Sequence, residues 1–202
     1  MNLKFIHITK TAGTSIENVG YKNNIMWGRY DKDLKFLGKP GKPFWHTPFQ
    51  FCDNKEKKKD ILDKYNLFTV VRNPYDRCIS EYFCKWGGPR SNLKRIGQLN
   101  SYIQHRLSFK DDIKNAFPSN HFTPQYLYVY DDGKKHVKHI LKLEDLETDF
   151  SKLMNEYNIN ITLDRFDNKS IKNLSVSDLN RTTIKMIREV YSKDFDEFDY
   201  ER

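Results

Sequence analysis

The chain carries, at residues 5–15, the stretch FIHITKTAGTS, in which an apolar segment runs into a turn of small and hydroxyl-bearing residues. Residues 3–8 predict a buried strand, and the pattern from Thr14 or Ser15 onward predicts a helix. A strand that turns directly into a helix presents backbone N–H groups and a helix N-terminus to an anion. Gly13 permits close approach of a ligand, and Lys10 adds a mobile positive charge. The stretch therefore predicts a phosphate cradle.

This turn differs from the phosphate loop of nucleotide triphosphatases. That loop needs a glycine five residues before a Gly-Lys-Ser/Thr triplet, whereas here Lys10 precedes Gly13. The hydroxyls of Thr11, Thr14 and Ser15 can still donate hydrogen bonds to an anion. A kinase or ATPase is therefore disfavoured, and a helix-capping loop is the structural alternative.

A second stretch, FTVVRNPYDRCIS at residues 68–80, repeats the order of strand, turn and helix. Pro74 stands where a first helical residue would lie, and its fixed φ suits that position. Arg72 offers a planar fork that matches a phosphate, and Ser80 can project beside the same group. The alternative is a structural turn in which Arg72 pairs with a carboxylate. Two such turns suit a ligand with two separate phosphates.

The two stretches resemble the phosphate motifs of sulfotransferases that use 3′-phosphoadenosine 5′-phosphosulfate (PAPS). Residues 10–15 are similar to the 5′-phosphosulfate loop, and Arg72 with Ser80 is similar to the 3′-phosphate motif. The nearest branch contains carbohydrate enzymes such as heparan sulfate 2-O-sulfotransferase and small soluble relatives. The resemblance implies an α/β fold with a mainly parallel central sheet, PAPS as co-substrate and no metal. It assigns PAPS binding to Lys10, Thr11, Ala12, Gly13, Thr14, Ser15, Arg72 and Ser80.

Length and composition set further limits. With 202 residues and 24.2 kDa, the chain predicts one globular domain over residues 1–202. A net charge of +8 and a pI near 9.2 favour an anionic partner without identifying it. Two charged runs, at residues 53–60 and 134–136, are more typical of solvated surface than of binding sites.

The sequence shows no recognisable targeting segment and no cysteine pattern typical of disulfides or metal sites. No signal peptide and no apolar run of membrane-spanning length is recognisable, so a cytoplasmic protein without a membrane anchor is expected. Three cysteines without metal-ligand spacing predict reduced thiols and neither a disulfide framework nor a zinc site.

Strands alternate with helices along the chain. Residues 3–8 predict the first and central strand, 67–71 the second, and 126–130 and 137–143 two more, with a turn at 131–133. Helices are predicted at 55–65, 74–86, 93–117 and 146–157, and a C-terminal helix is expected with Ser177 as its cap. Residues 21–50 read as irregular because glycine and proline interrupt them. Parallel strands then place both cradles at the carboxyl ends of the sheet.

Sulfuryl transfer requires a group that stabilises the leaving oxygen and a base that accepts the acceptor proton. Lys10 is the expected electrophilic partner of the bridging oxygen. Histidine is the common base near neutral pH, and His46 lies in an aromatic-rich loop, residues 44–49, between the two cradles. Related carbohydrate enzymes place their catalytic histidine in a comparable stretch, so His46 is the predicted base at the acceptor; a structural histidine that caps a loop carbonyl is the alternative.

Three further residues follow from the resemblance. His121 and Gln125 fall in a segment similar to one that lines the acceptor side, although an ordinary proline-containing turn explains it equally well. Lys169 lies where relatives have a basic loop over the nucleotide. The acceptor is expected to be a glycan or a small hydroxyl compound. A nucleotide or nucleic-acid binding protein that uses the basic surface is the competing hypothesis, and the oligomeric state is open.

Overall fold

The computed structural model of the protein describes residues 2–38, 43–84, 96–109, 121–163 and 173–202. Its helices and strands follow one another in mixed α/β order. In chain order they are β1 (Leu3–Ile6), α1 (Gly13–Lys22), α2 (Lys55–Lys64), β2 (Asn66–Val71), α3 (Pro74–Tyr82), α4 (Ile96–Leu107), α5 (Tyr126–Val129), β3 (Tyr130–Asp131), β4 (Lys134–Lys135), β5 (His139–Lys142), α6 (Leu146–Glu156), α7 (Arg181–Val190) and α8 (Ser192–Glu197).

The contacts divide the chain into two compact units. The first unit comprises Met1–Val71 and Leu127–Asn168, and the second comprises Arg72–Tyr126 and Lys169–Arg202. The single domain predicted over residues 1–202 stays a prediction.

The first unit contains a three-stranded parallel sheet in the order β1-β2-β5. Phe5 pairs with Phe68, and Phe68 pairs in turn with His139 on its other side. The parallel sheet flanked by helices confirms the predicted fold class. The prediction that β1 is the central strand was wrong, because β5 joins the far side of β2 and leaves β1 at an edge of the described sheet.

Apolar side chains from one face of this sheet form a core of the first unit. Phe5, Phe68 and Val70 are fully buried, and Trp27 packs edge-on against Phe68 with a centroid distance of 5.1 Å. Burial of aromatic and branched side chains is the main stabilising term of such a core. Residues 21–50 were predicted to be irregular, but α1 extends to Lys22. Beyond it, the described residues include four short 3₁₀ segments: Gly28–Tyr30, Lys32–Leu37, Phe44–His46 and Phe49–Phe51.

The second unit is helical in its described part. Helices α3, α4 and α7 share an apolar core that includes Ile79, Ile103 and Ile187, each at most 1% exposed. The C-terminal region is helical as predicted, but Asn180 caps α7 by accepting a hydrogen bond from the Thr183 N–H. The expected cap, Ser177, lies instead in a separate 3₁₀ turn, Val176–Asp178.

The segment at residues 126–130 was predicted as a strand, and that prediction was wrong. It forms helix α5, followed by the two-residue strand β3 and the predicted turn at Asp132 and Gly133. Asp132 and Gly133 have φ values of 48° and 73°, which is the left-handed pair that a tight hairpin requires. The predicted helices over 74–86 and 93–117 were too long at their C-terminal ends. Helix α3 ends at Tyr82 and α4 ends at Leu107, and the described residues 83–84 and 108–109 are not helical.

Candidate active site

The loop between β1 and α1 has an unusual backbone. Lys10 and Ala12 have φ values of 65° and 63°, and Thr11 between them keeps an ordinary negative φ. Such alternation turns successive N–H groups toward one side and forms an anion-binding concavity. The left-handed conformation of a residue other than glycine costs on the order of 1 kcal/mol, so the surrounding structure holds the loop in this form.

The N-terminus of α1 directly follows this loop. Ala12 is its N-cap, and its methyl side chain makes no capping hydrogen bond. The Ser15 N–H reaches the Ala12 carbonyl at 2.9 Å in a 3₁₀-type bond. An N-terminus without a side-chain cap keeps its partial positive charge available to an anion. This geometry argues against a helix-capping loop as the sole role of the turn.

The three hydroxyl residues of the loop lie in different settings. Thr11 is fully buried, and its hydroxyl donates to the Ile8 carbonyl at 2.8 Å. Because that proton is used inside the loop, only the backbone N–H of Thr11 is suited to an anion. Ser15 is buried, whereas Thr14 is half-buried at the start of α1.

Gly13 is needed for space as well as for a ligand. A Cβ atom at this position would lie 2.4 Å from Cδ2 and Nε2 of the His7 ring. The ring cannot easily yield, since His7 is only 6% exposed and its Nδ1 lies 2.7 Å from Glu17 Oε1. The sequence predicted close approach of a ligand at Gly13 and missed this second reason for glycine.

Glu17 on α1 is the centre of a buried polar network. It is fully buried, and its Oε1 accepts the Arg29 N–H at 2.9 Å in addition to the His7 contact. The Arg29 guanidinium donates to Asn18 Oδ1 at 2.6 Å. The sequence analysis did not single out His7 or Glu17.

His46, the predicted base, lies at the end of a 3₁₀ turn and is half-buried. Its backbone carbonyl accepts a hydrogen bond from the Tyr128 hydroxyl at 2.8 Å. Its ring meets the His7 ring edge to face, with 4.6 Å between the centroids. The structure thus brings His46 next to His7, which in turn packs against Gly13 of the loop.

Arg72 begins the second turn, immediately after β2. Gln125 holds its backbone from both sides: the Arg72 N–H donates to Gln125 Oε1 at 2.9 Å, and Gln125 Nε2 donates to the Arg72 carbonyl at 2.8 Å. Nη2 of Arg72 lies 3.9 Å from Asp76 Oδ1, at the outer limit of an ion pair. That long separation makes Asp76 a weak partner.

The second turn is otherwise built as predicted. Asn73 accepts the Tyr75 N–H at 2.9 Å and caps α3, and Pro74 is the first helical residue. Ser80 is 5% exposed on the same helix.

Comparison with known proteins identifies the family. The chain matches the profile of the Sulfotransferase family over residues 1–201. The chain belongs to that family. Among solved structures, it is similar to the crystal structure of a sulfotransferase from Alicyclobacillus acidocaldarius, with a TM-score of 0.50 and 12% identity, over 100% of this chain and 96% of that chain. At this identity the likeness supports the fold alone. A comparison with curated protein sequences finds no match.

Gln125 of this sulfotransferase is itself held by a buried carboxylate. Asp194 is fully buried and accepts the N–H groups of Gln125 and Tyr126 at 2.8 and 2.9 Å. Burial raises the pKa of Asp194 to about 6, although the two N–H donors act in the opposite direction. Both ends of the Gln125 amide are thus hydrogen-bonded to the Arg72 backbone, and the side chain is fully buried.

His121 lies in a second buried cluster of the sulfotransferase. Its Nδ1 lies 2.7 Å from Glu81 Oε2, and Cys84 completes a group whose ligand atoms lie within 4.8 Å of one another. Burial lowers the pKa of His121, but hydrogen bonds to Cys84 and Glu81 outweigh this and raise it to about 9. The three residue types could hold a metal, but the short contact and the raised pKa are those of an ion pair.

The remaining histidines have ordinary surroundings. Nε2 of His139 lies 2.8 Å from the Tyr157 hydroxyl, and Nε2 of His136 lies 3.2 Å from the Asp131 carbonyl. His105 is exposed on α4. Lys169, the predicted nucleotide contact, lies outside the described residues.

The charged run at residues 53–60 lies largely at the surface, as predicted. The lysines of α2 are exposed except Lys58, which is buried in an ion pair with Asp131. All three cysteines, Cys52, Cys78 and Cys84, belong to the described residues and are buried thiols without disulfides. Among the described helices, none has the length and apolar character needed to cross a membrane.

Proposed function

We propose that this sulfotransferase transfers the sulfuryl group of PAPS to a hydroxyl of a carbohydrate. The observation that carries the proposal is the loop from Lys10 to Ser15, in which two left-handed residues and an α1 N-terminus without a side-chain cap offer backbone N–H groups to an anion. Membership of the sulfotransferase family supports a sulfated nucleotide as that anion.

The chemistry assigns separate roles to Lys10 and His46. The bond between sulfur and the oxygen that bridges it to the 5′-phosphate breaks, and its electron pair stays on that oxygen. A new bond forms between sulfur and the acceptor oxygen, and adenosine 3′,5′-bisphosphate leaves. Lys10 stabilises the charge on the departing oxygen, and neutral His46 takes the acceptor proton.

The second turn is assigned to the 3′-phosphate. Arg72 supplies a planar fork for it, and the hydrogen bonds from Gln125 to the Arg72 backbone fix where that side chain starts. Ser80 and Lys169 are kept in the proposed nucleotide set. Gln125 moves from the acceptor set to the support of Arg72.

The acceptor side is proposed to lie around His46. Trp45 is half-buried next to it, with 5.7 Å between the two ring centroids, and offers an aromatic surface for a sugar ring. His121 is moved from the acceptor set, because its imidazole is paired with Glu81 and its side chain is 10% exposed. Three cysteines kept as thiols favour a reducing compartment, so the cytoplasm is the proposed location.

Transfer of radioactive sulfate from labelled PAPS to a panel of carbohydrate and small hydroxyl acceptors tests the proposal. We expect labelled product with the wild type and a loss of about 100-fold in turnover for His46→Ala, as is typical for removal of a general base. His105→Ala, a change at an exposed histidine, should keep wild-type turnover.

Two results would contradict the proposal. One is a His46→Ala variant that is folded and turns over near the wild-type rate, which would remove His46 as the base. The other is a wild type that sulfates no acceptor and binds RNA with a strong salt dependence that adenosine 3′,5′-bisphosphate does not reverse. The latter outcome would favour the nucleic-acid binding alternative.

A further inference from the structure

The buried pair of His7 and Glu17 is not explained by nucleotide binding. Nδ1 of His7 lies 2.7 Å from Glu17 Oε1, and the two side chains are 7% and 1% exposed. We assign the proton between them to Nδ1 of His7, which then donates to Glu17 Oε1. Glu17 is held in place by the Arg29 N–H, which donates to the same oxygen at 2.9 Å. The pair therefore fixes both the tautomer and the plane of the His7 ring.

The His7 ring contacts two parts of the proposed site. One is Gly13, where a Cβ atom would lie 2.4 Å from the ring. The other is His46, whose ring meets it at an interplanar angle of 75° with centroids 4.6 Å apart. His7 itself is almost fully buried and its Nε2 edge faces Gly13, so it is less suited than the half-buried His46 to receive a proton from an acceptor.

We propose that Glu17 and His7 are positioning residues that hold the His46 imidazole in the orientation needed for proton transfer. The carboxylate fixes the His7 ring, and the edge-to-face contact of that ring with His46 restricts the orientation of the His46 imidazole. This inference rests on the proposed function, in which His46 is the base.

Nuclear magnetic resonance of protein labelled with ¹⁵N-histidine tests the pair without any acceptor. In the wild type, His7 should be protonated at Nδ1. Glu17→Gln keeps the size of the side chain but adds a donor, so we expect the His7 tautomer to change and the ring signals of His46 to shift. His7→Gln should shift the His46 signals as well. The matched control, His139→Gln, removes another hydrogen-bonded histidine of the same unit and should leave His46 unchanged.

Ring signals of His46 that stay the same in Glu17→Gln and in His7→Gln would overturn the inference. Using both variants covers the case in which one of them does not fold. A purely structural role would lower the unfolding temperature without changing the ring signals of His46.

Measurement of turnover tests the inference independently of the resonance signals. If Glu17 acts through His46, Glu17→Gln should lower kcat by about 10-fold in the wild type and by less than about 2-fold in the His46→Ala background. An equal factor in both backgrounds contradicts the inference. A wild type that neither binds adenosine 3′,5′-bisphosphate nor transfers sulfate overturns the proposed function, whereas the ring signals report on the His46 contact separately.

Discussion

The two turns that look alike in the sequence are built on different principles. The first turn, residues 10–15, relies on the backbone: two left-handed residues and a helix start without a side-chain cap. The second turn, residues 72–80, uses ordinary capping by Asn73 and Pro74, and its anion-binding group is the Arg72 side chain. The first turn therefore depends on conformation, and the second depends on supports that hold one arginine. Variants should affect the two in different ways.

The largest effect is expected for Gly13→Ala in the first turn. The added Cβ collides with the buried His7 ring, so either the ring or the loop must move. We expect a loss of about 1–3 kcal/mol in the free energy of unfolding, as for overpacked cores, and a loss of most of the affinity for adenosine 3′,5′-bisphosphate. Denaturant unfolding and calorimetric titration measure the two effects.

Gly97→Ala is the matched control for this variant. Gly97 is exposed on α4, and no atom lies within 4 Å of the added Cβ. Alanine should stabilise the helix by roughly 0.5–1 kcal/mol and leave binding unchanged. A Gly13→Ala variant that behaves like Gly97→Ala would show that the first turn tolerates a different backbone.

In the second turn, Gln125→Ala should weaken the support of Arg72. The change removes two hydrogen bonds to the Arg72 backbone at a fully buried position, which costs about 1–3 kcal/mol. The preference for adenosine 3′,5′-bisphosphate over adenosine 5′-phosphate should fall, while the affinity for adenosine 5′-phosphate should change little. Gln50→Ala, at an exposed glutamine, is the control. If Gln125→Ala lowered the affinity for both nucleotides by the same factor, Gln125 would have no specific role in supporting Arg72.

The pH dependence of stability should reveal the His121 cluster. The pKa of His121 is raised from an ordinary value of 6.5 to about 9, so the protonated form stabilises the fold. This contribution is complete below pH 6.5 and is lost as the pH rises through 9. The unfolding temperature should therefore drop by several degrees between these values, and His121→Gln should flatten that part of the profile. An unchanged slope in the variant would rule out His121 as its source.

The smallest effect is expected for Thr11→Val. The lost hydroxyl donates to the Ile8 carbonyl inside the loop, so the cost should be about 1 kcal/mol of stability with less than about a 2-fold change in affinity for the bisphosphate. Thr14→Val, at the half-buried neighbour, serves as the comparison and should weaken binding more. A large loss of affinity in Thr11→Val would return its hydroxyl to the proposed anion site.

The sequence predicts the parts of this protein that depend on local patterns. The apolar runs that become β1 and β2 and the start of α3 at Pro74 all act over a few residues, and all are confirmed. The segment at 126–130 was mispredicted because its start is decided by Asp194, which accepts the N–H groups of Gln125 and Tyr126 from 68 or more residues away. Tertiary contacts of this kind override the alternation that favours a strand.

The same distinction between local patterns and tertiary contacts explains which site residues could be identified from the sequence. Lys10, Gly13 and Arg72 stand in short motifs and could be selected from sequence alone. The roles of Glu17 and Gln125 could not, because each acts through a partner that only the fold brings close: His7 in one case and Arg72 in the other. The left-handed backbone at Lys10 and Ala12 also gave no signal, since neither residue is glycine.

Ligand-dependent stabilisation of the wild type, Lys10→Ala and Arg72→Ala tests the central claim most directly. A ligand at 100 times its dissociation constant adds about 2.7 kcal/mol to stability, which is several degrees in a thermal shift. The account predicts that the wild type binds adenosine 3′,5′-bisphosphate more tightly than adenosine 5′-phosphate or ATP. Lys10→Ala should weaken the affinity for the bisphosphate and for adenosine 5′-phosphate by a similar factor. Arg72→Ala should remove only the higher affinity of the bisphosphate over adenosine 5′-phosphate. The account would be contradicted if the bisphosphate gave no selective thermal shift in the wild type. It would also be contradicted if Arg72→Ala lost affinity for the bisphosphate and for adenosine 5′-phosphate by the same factor.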